Sequence, residues 1–117
     1  MVSPLAKNLI LQIRYALQKL KDEGKTTMFY ISKMELEPAD KELLDKIFAK
    51  GGIFVRDDEG LQRSEWSDTL INGVWRGIMY DIHGNPVLEI IEVAPFPSLV
   101  ASPVEEIRID ELDAFLV

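Results

Sequence analysis

Apolar residues at Leu5, Leu9, Ile13, Ala16, Leu17 and Leu20 recur every three or four positions, with Lys7, Arg14, Gln18 and Lys21 between them. This period predicts an amphipathic helix from Leu5 to about Glu23, one stripe of it facing a core. Ser3 before Pro4 supplies an N-cap and a first helical residue, and Gly24 supplies the stop. Thr26 to Ile31 reads as a strand from its threonine and aromatic content. Pro38 opens a second helix with Ala39, Leu43, Leu44 and Ile47 on one face, and Gly51-Gly52 is expected to close it. Ile53 to Arg56 follows as a strand. Thr26 to Arg56 is therefore a strand-helix-strand unit, right-handed if its strands are parallel.

Asp57 to Gly60 has the composition of a turn, and Leu61 to Trp66 has the bulk of a strand. Val74 to Ile82 and Pro86 to Ala94 flank His83-Gly84-Asn85 and predict an antiparallel hairpin. On its second arm Val87, Glu89, Ile91 and Val93 share one face, and Leu88, Ile90, Glu92 and Ala94 the other. Both faces are mostly apolar, as expected of a strand covered on both sides or of a sheet with one face left for a partner. Pro103 to about Phe115 reads as a terminal helical region, with a break near Ile109 and Asp110. The fold class expected is α+β: an N-terminal helix, the strand-helix-strand unit, antiparallel strands and a C-terminal helix packed on one mixed sheet.

The chain's 117 residues suit a single domain over 1–117 with one core. Without cysteine, thiolate metal sites, disulfides and cysteine nucleophiles are excluded. The only histidine is His83, so a zinc site or a Ser-His-Asp arrangement has little to work with. The stretch from Leu9 to Leu17 is interrupted by Gln12 and Arg14 and falls short of the ~20 residues that span a bilayer. No export signal is visible, and the expected location is cytoplasmic. Met1 to Lys50 holds nine basic and seven acidic residues, and Gly51 to Val117 holds four and thirteen, so the second stretch carries 4 − 13 = −9. That surface repels nucleic acid and suits a basic peptide, or serves solubility alone.

Gly51-Gly52 follows a helix and has the wrong order for a phosphate cradle. Alternation sends Glu89 and Glu92 to opposite faces, so they make no carboxylate pair. Glu92 interrupts an apolar face and needs a partner, either Arg76 on the neighbouring strand or a ligand. Trp75, inside a strand, reads as core, whereas Trp66 suits packing and partner contact equally. An enzyme reading would require Asp68, Glu92 and His83 to converge in one pocket. A dimerisation module would show a self-complementary apolar patch.

The run Thr69-Leu70-Ile71-Asn72-Gly73-Val74-Trp75, then Gly84, Ile91-Glu92-Val93 and Pro97, resembles the signature of the HupH/HyaF-type hydrogenase expression proteins. The N-terminal helix, the Thr26-Thr27 strand, Pro38-Ala39-Asp40 and Gly51 fall where that family's domain places them. Asp68 stands where the family usually has Glu, and many members are longer. The resemblance implies a non-catalytic chaperone for maturation of an uptake nickel–iron hydrogenase. Its partner would be the small-subunit precursor or another maturation protein, and it would need no cofactor. The implied partner-binding residues are Trp66, Asp68, Thr69, Trp75, Glu92 and Phe96. Nucleic acid and membrane are not expected partners, and a homodimer is possible.

Overall fold

The structure is a computed structural model, describing residues 3–59 and 62–116. Helix α1 (Pro4–Glu23) begins at Ser3, whose hydroxyl accepts from the Ala6 N–H at 3.1 Å. It ends at Gly24, whose left-handed backbone (φ 70°) lets its N–H reach Leu20 O. Five strands follow, β1 (Thr27–Tyr30), β2 (Lys50–Asp57), β3 (Ser64–Thr69), β4 (Val74–Tyr80) and β5 (Pro86–Val93), with helix α2 (Pro38–Ile47) between the first two. The sheet order is β1-β5-β4-β3-β2, and every ladder is antiparallel. The two strands of the strand-helix-strand unit run in the same direction but form opposite edges of the sheet. The α+β class holds, with an antiparallel sheet where a mixed one was expected.

β5 lies between β1 and β4, and its end from Ile90 to Ala94 is buried on both faces. On one face Leu9, Ile13 and Ala16 of α1 and Leu44 of α2 pack against Phe29, Val74, Ile91 and Val93. On the other, Trp66, Trp75 and Ile90 are covered by Val100 and by the segment leaving β5, in which Pro97 is fully buried. The two-sided burial expected for this strand thus comes from helices on one side and an irregular segment on the other.

Register explains one glycine. Trp66 pairs with Gly77 across β3 and β4, and its indole lies flat over that residue. A Cβ on Gly77 would overlap Trp66 Cζ3, Cε3 and Cη2. The indole is wholly buried, and its Nε1–H donates to Ser64 Oγ at 3.0 Å, so its polar atom is satisfied inside the core.

Three expectations are corrected. Helix α2 stops at Phe48, and Gly51-Gly52 lie inside β2, where the pairing register shifts between Lys50 and Phe54. Gly51 is there because a Cβ would sit 2.5 Å from Asp68 Oδ1, the atom that accepts the Ile53 N–H at 2.9 Å. β3 starts at Ser64, where a strand over Leu61 to Trp66 was expected; Leu61 itself lies outside the described residues, as does Gly60 of the turn before it. The C-terminal helix, α3, is a single turn (Asp110–Asp113) after a 3-10 turn (Val104–Glu106). Every residue from Ala101 to Leu116 is exposed, so this helix does not pack on the sheet.

The N-termini of α1 and α2 share one carboxylate. Asp40 is buried and accepts from the Ser3 hydroxyl at 2.8 Å, the Ser3 N–H at 3.2 Å and the Glu37 N–H at 3.0 Å. The Ser3 hydroxyl, with the Glu37 and Ser3 N–H groups behind it, holds this carboxyl below its ordinary value against the opposing effect of burial. Asp81 in the hairpin loop is also held low, chiefly by the backbone N–H of Asn85.

Gly77→Ala forces the Trp66 indole out of place and should cost about 2–3 kcal/mol in urea unfolding. Gly52→Ala, with nothing within 4 Å of the new Cβ, should change stability little. A depressed folded-state pKa stabilises fully above the unfolded value, near 3.8 for Asp40, and that contribution is lost as pH falls through the folded-state value. Urea melts from neutral pH into the acid range should therefore show stability falling below about pH 4. Asp40→Asn should flatten part of that fall, and a slope unchanged in the variant would contradict the assignment.

Candidate functional site

The tight turn between β3 and β4 is built by Thr69. Its buried hydroxyl lies 2.9 Å from Val74 O and 3.0 Å from Ile71 O, one of which takes its proton, and it accepts from the Ile71 N–H at 3.2 Å. Gly73 closes the turn at φ +91°, where a Cβ would meet Leu17 of α1 at 3.1 Å. Its carbonyl accepts the Ala94 N–H at 2.9 Å, tying the turn to the end of β5. Leu70 and Ile71 are left exposed at the tip.

Beside this turn lies a recess of about 220 Å³ lined by Ile53, Asp68, Thr69, Ile71, Trp75 and Pro95, among others. Asp68 sits half-buried in its wall. Its Oδ1 accepts the Ile53 N–H, and among the described residues nothing donates to Oδ2. Phe96 extends the rim, its ring edge-on to Trp75 with centroids 5.5 Å apart. Exposed Ile53 and Ile71 thus share a recess with one carboxylate, with exposed Leu70 at the tip of the turn and Phe96 against Trp75. Such a corner can hold a short apolar segment carrying a cation.

Of the six residues expected to touch a partner, Trp66, Thr69 and Glu92 lie inside the core and Trp75 is nearly so, while Asp68 and Phe96 reach the surface. The buried residues shape the corner. Glu92 does find an internal partner, but not Arg76. Register pairs Arg76 with Ile91 and so puts it on the helix-covered face, where it binds Asp45 at 2.7 Å and Glu89 at 3.1 Å. Glu92 points the other way and accepts from the Ser98 N–H at 3.1 Å and the Ser98 hydroxyl at 2.5 Å. Ser98 is the residue the sequence reading missed, since nothing in local periodicity marks a serine six residues on as the partner.

Asp68, Glu92 and His83 do not converge. Asp68 and Glu92 flank Trp75 on adjacent strands, roughly 10 Å apart. His83 lies on the exposed hairpin loop, about 20 Å along β5 from Glu92. Among the described residues no group of three or more His, Cys, Asp or Glu side chains is placed to hold a metal ion. No helix there is long and apolar enough to cross a membrane.

On the helix-covered face, where α1 and α2 leave the sheet open, a second and larger recess of about 590 Å³ is lined by Asp45, Phe54, Glu65, Arg76, Ile78 and Glu89, among others. Its ion pairs are internal, and Glu65 accepts from the Tyr80 hydroxyl at 2.9 Å. That bond, with burial, raises the Tyr80 phenol above its ordinary pKa.

Comparison with known proteins gives these features a context. The family described as HupH hydrogenase expression protein, C-terminal conserved region, matches residues 5–114. A solved structure, the hydrogenase expression protein HupH from Thiobacillus denitrificans ATCC 25259, superposes with a TM-score of 0.78 at 29% identity, covering 99% of this chain and 94% of that one. A comparison with curated proteins finds no match. The matched span takes in the Thr69–Trp75 turn, the buried Glu92, helix α2 and all but the first residue of α1, and the chain belongs to the HupH hydrogenase expression protein family.

Proposed function

We propose that this protein is a non-catalytic assembly factor that acts in the cytoplasm on an uptake nickel–iron hydrogenase, holding the small-subunit precursor or another maturation protein. Family membership supports a role in hydrogenase expression. One observation carries the binding mode: a carboxylate, Asp68, with an oxygen free of donors among the described residues, in a recess with exposed Ile53 and Ile71, beside the exposed tip residue Leu70 and the Phe96 ring on Trp75. Apolar contact supplies the attraction, and the charge selects a segment bearing a lysine or arginine. The net −9 over Gly51–Val117 draws such a segment in from a distance, more weakly as salt rises. Binding needs no cofactor. Trp66, Thr69, Trp75 and Glu92 serve it indirectly, by keeping the turn and the segment after β5 in place.

The variants that test this leave the core alone. Asp68→Asn keeps an acceptor for the Ile53 N–H and removes the charge, and Leu70→Ser with Phe96→Ala strips the rim. In pull-downs from the native host each should recover about tenfold less hydrogenase subunit than the unaltered protein, equivalent to ~1.4 kcal/mol. Thermal unfolding should be unchanged. Undiminished recovery by both variants would remove this corner from the interface, and a folded unaltered protein that recovers no subunit would remove the partner.

A further inference from the structure

The segment from Ala101 to Leu116 makes no use of its own apolar side chains. Val104, Ile107, Ile109, Leu112, Phe115 and Leu116 are between 59% and 84% exposed. Glu105, Glu106, Asp110, Glu111 and Asp113 stand among them with Arg108 as the one cation, a net of 1 − 5 = −4. Two helical turns, Val104–Glu106 and Asp110–Asp113, are present, each too short to be stable alone. The radius of gyration, 16.8 Å, exceeds the roughly 13 Å expected of a compact chain this long. The tail is acidic, apolar and without a surface to lie on.

The outward face of α1 has the opposite character. Leu11 and Tyr15 lie on its outer line, each more than half exposed. Lys7, Arg14 and Lys21 run along one flank at seven-residue spacing, about two turns apart, and Lys19 on the other flank holds its Nζ 5.2 Å from the Tyr15 ring. Lys7, Arg14, Lys19 and Lys21 give this stretch of helix a charge of +4 before Asp22 and Glu23. Two exposed apolar residues flanked by cations complement an apolar tail edged with carboxylates.

We infer that the tail of one copy of this chain docks on the outer face of α1 in a second copy, and that the exchange is reciprocal in a two-fold dimer. A second copy fits better than the chain's own helix because of where the tail begins. Val100, the last residue before it, packs with Trp66, Trp75 and Ile90 on the sheet face opposite α1. To reach its own helix the tail would have to wrap a sheet edge, whereas a neighbouring copy meets it directly. A two-fold arrangement uses the same pair of surfaces twice, doubling the contact without new chemistry. The docking site is distinct from the corner around Asp68, so the dimer leaves that corner free.

Charge exchange tests this with the full-length chain. One variant carries Lys7→Glu, Arg14→Glu and Lys21→Glu, and a second carries Glu106→Lys, Glu111→Lys and Asp113→Lys; all six positions are exposed. Sedimentation over a wide range of concentration should show the unaltered chain as a dimer that loosens with salt. Each variant alone should self-associate at least about a hundredfold more weakly, since attraction is replaced by repulsion at both docking sites. An equimolar mixture of the two should recover the dimer, because each tail again meets a helix of opposite charge. An unaltered chain that stays monomeric, variants that still dimerise, or a mixture that stays monomeric would each overturn the proposal, the last by showing that the helix cations and the tail carboxylates do not pair between copies.

Discussion

The contact between the Trp66 indole and the bare Cα of Gly77 sets the geometry of one whole face of the sheet. A tryptophan in the middle of β3 can be wholly buried only if the residue opposite it yields its side-chain volume, and Gly77 does so. With the ring flat on β4, Trp75 and Ile90 complete an apolar floor, and the segment after β5 lies on it through Pro97 and Val100. That segment brings Phe96 to Trp75 and Ser98 to Glu92. The corner around Asp68 therefore inherits its shape from a packing contact made in the next two strands.

Carboxylates do a second kind of structural work here. Asp40 joins two helix starts, Asp68 holds the bulge in β2, Asp81 closes the hairpin loop and Glu92 anchors the segment after β5. In each case a side-chain oxygen accepts a backbone N–H that the regular elements leave without a partner, which is why these acids are local to turns and ends. Asp68 differs from the other three in having an oxygen to spare among the described residues, which is why the proposed binding corner is placed around it.

Much of this was legible in the sequence. α1, with Ser3, Pro4 and Gly24 at its ends, follows from a strong 3.6-residue period and unambiguous caps, and the β4–β5 hairpin from alternation around His83-Gly84-Asn85. The family also showed itself, in the Thr69 to Trp75 run and the residues spaced after it. β3 was misplaced because Ser64-Glu65-Trp66-Ser67-Asp68-Thr69 is polar and poor in β-formers; it is a strand because Trp66, Ser64 and Thr69 find partners in the fold. Gly51-Gly52 read as a helix stop because a bulge and a C-cap ask for the same residue, and only the Asp68 carboxylate, distant in sequence, tells them apart. Of the candidate site, the motif pointed to the Thr69–Trp75 region but not to which of its residues face solvent, since that depends on a register no single strand reveals. The tail read as a packed helix because its apolar spacing is real, but its counterpart surface does not lie on the sheet beneath it.

In the proposed function, the corner formed by Ile53, Asp68, the Leu70–Gly73 turn and Phe96 receives a hydrogenase precursor. The most direct measurement is the backbone amide spectrum of isotope-labelled protein titrated with purified small-subunit precursor. Binding at this corner should shift Ile53, Asp68 through Gly73 and Phe96 alone, with the β4–β5 hairpin loop unmoved. Saturable binding whose shifts lie instead around His83, or on the larger recess between Asp45 and Glu65, would contradict it.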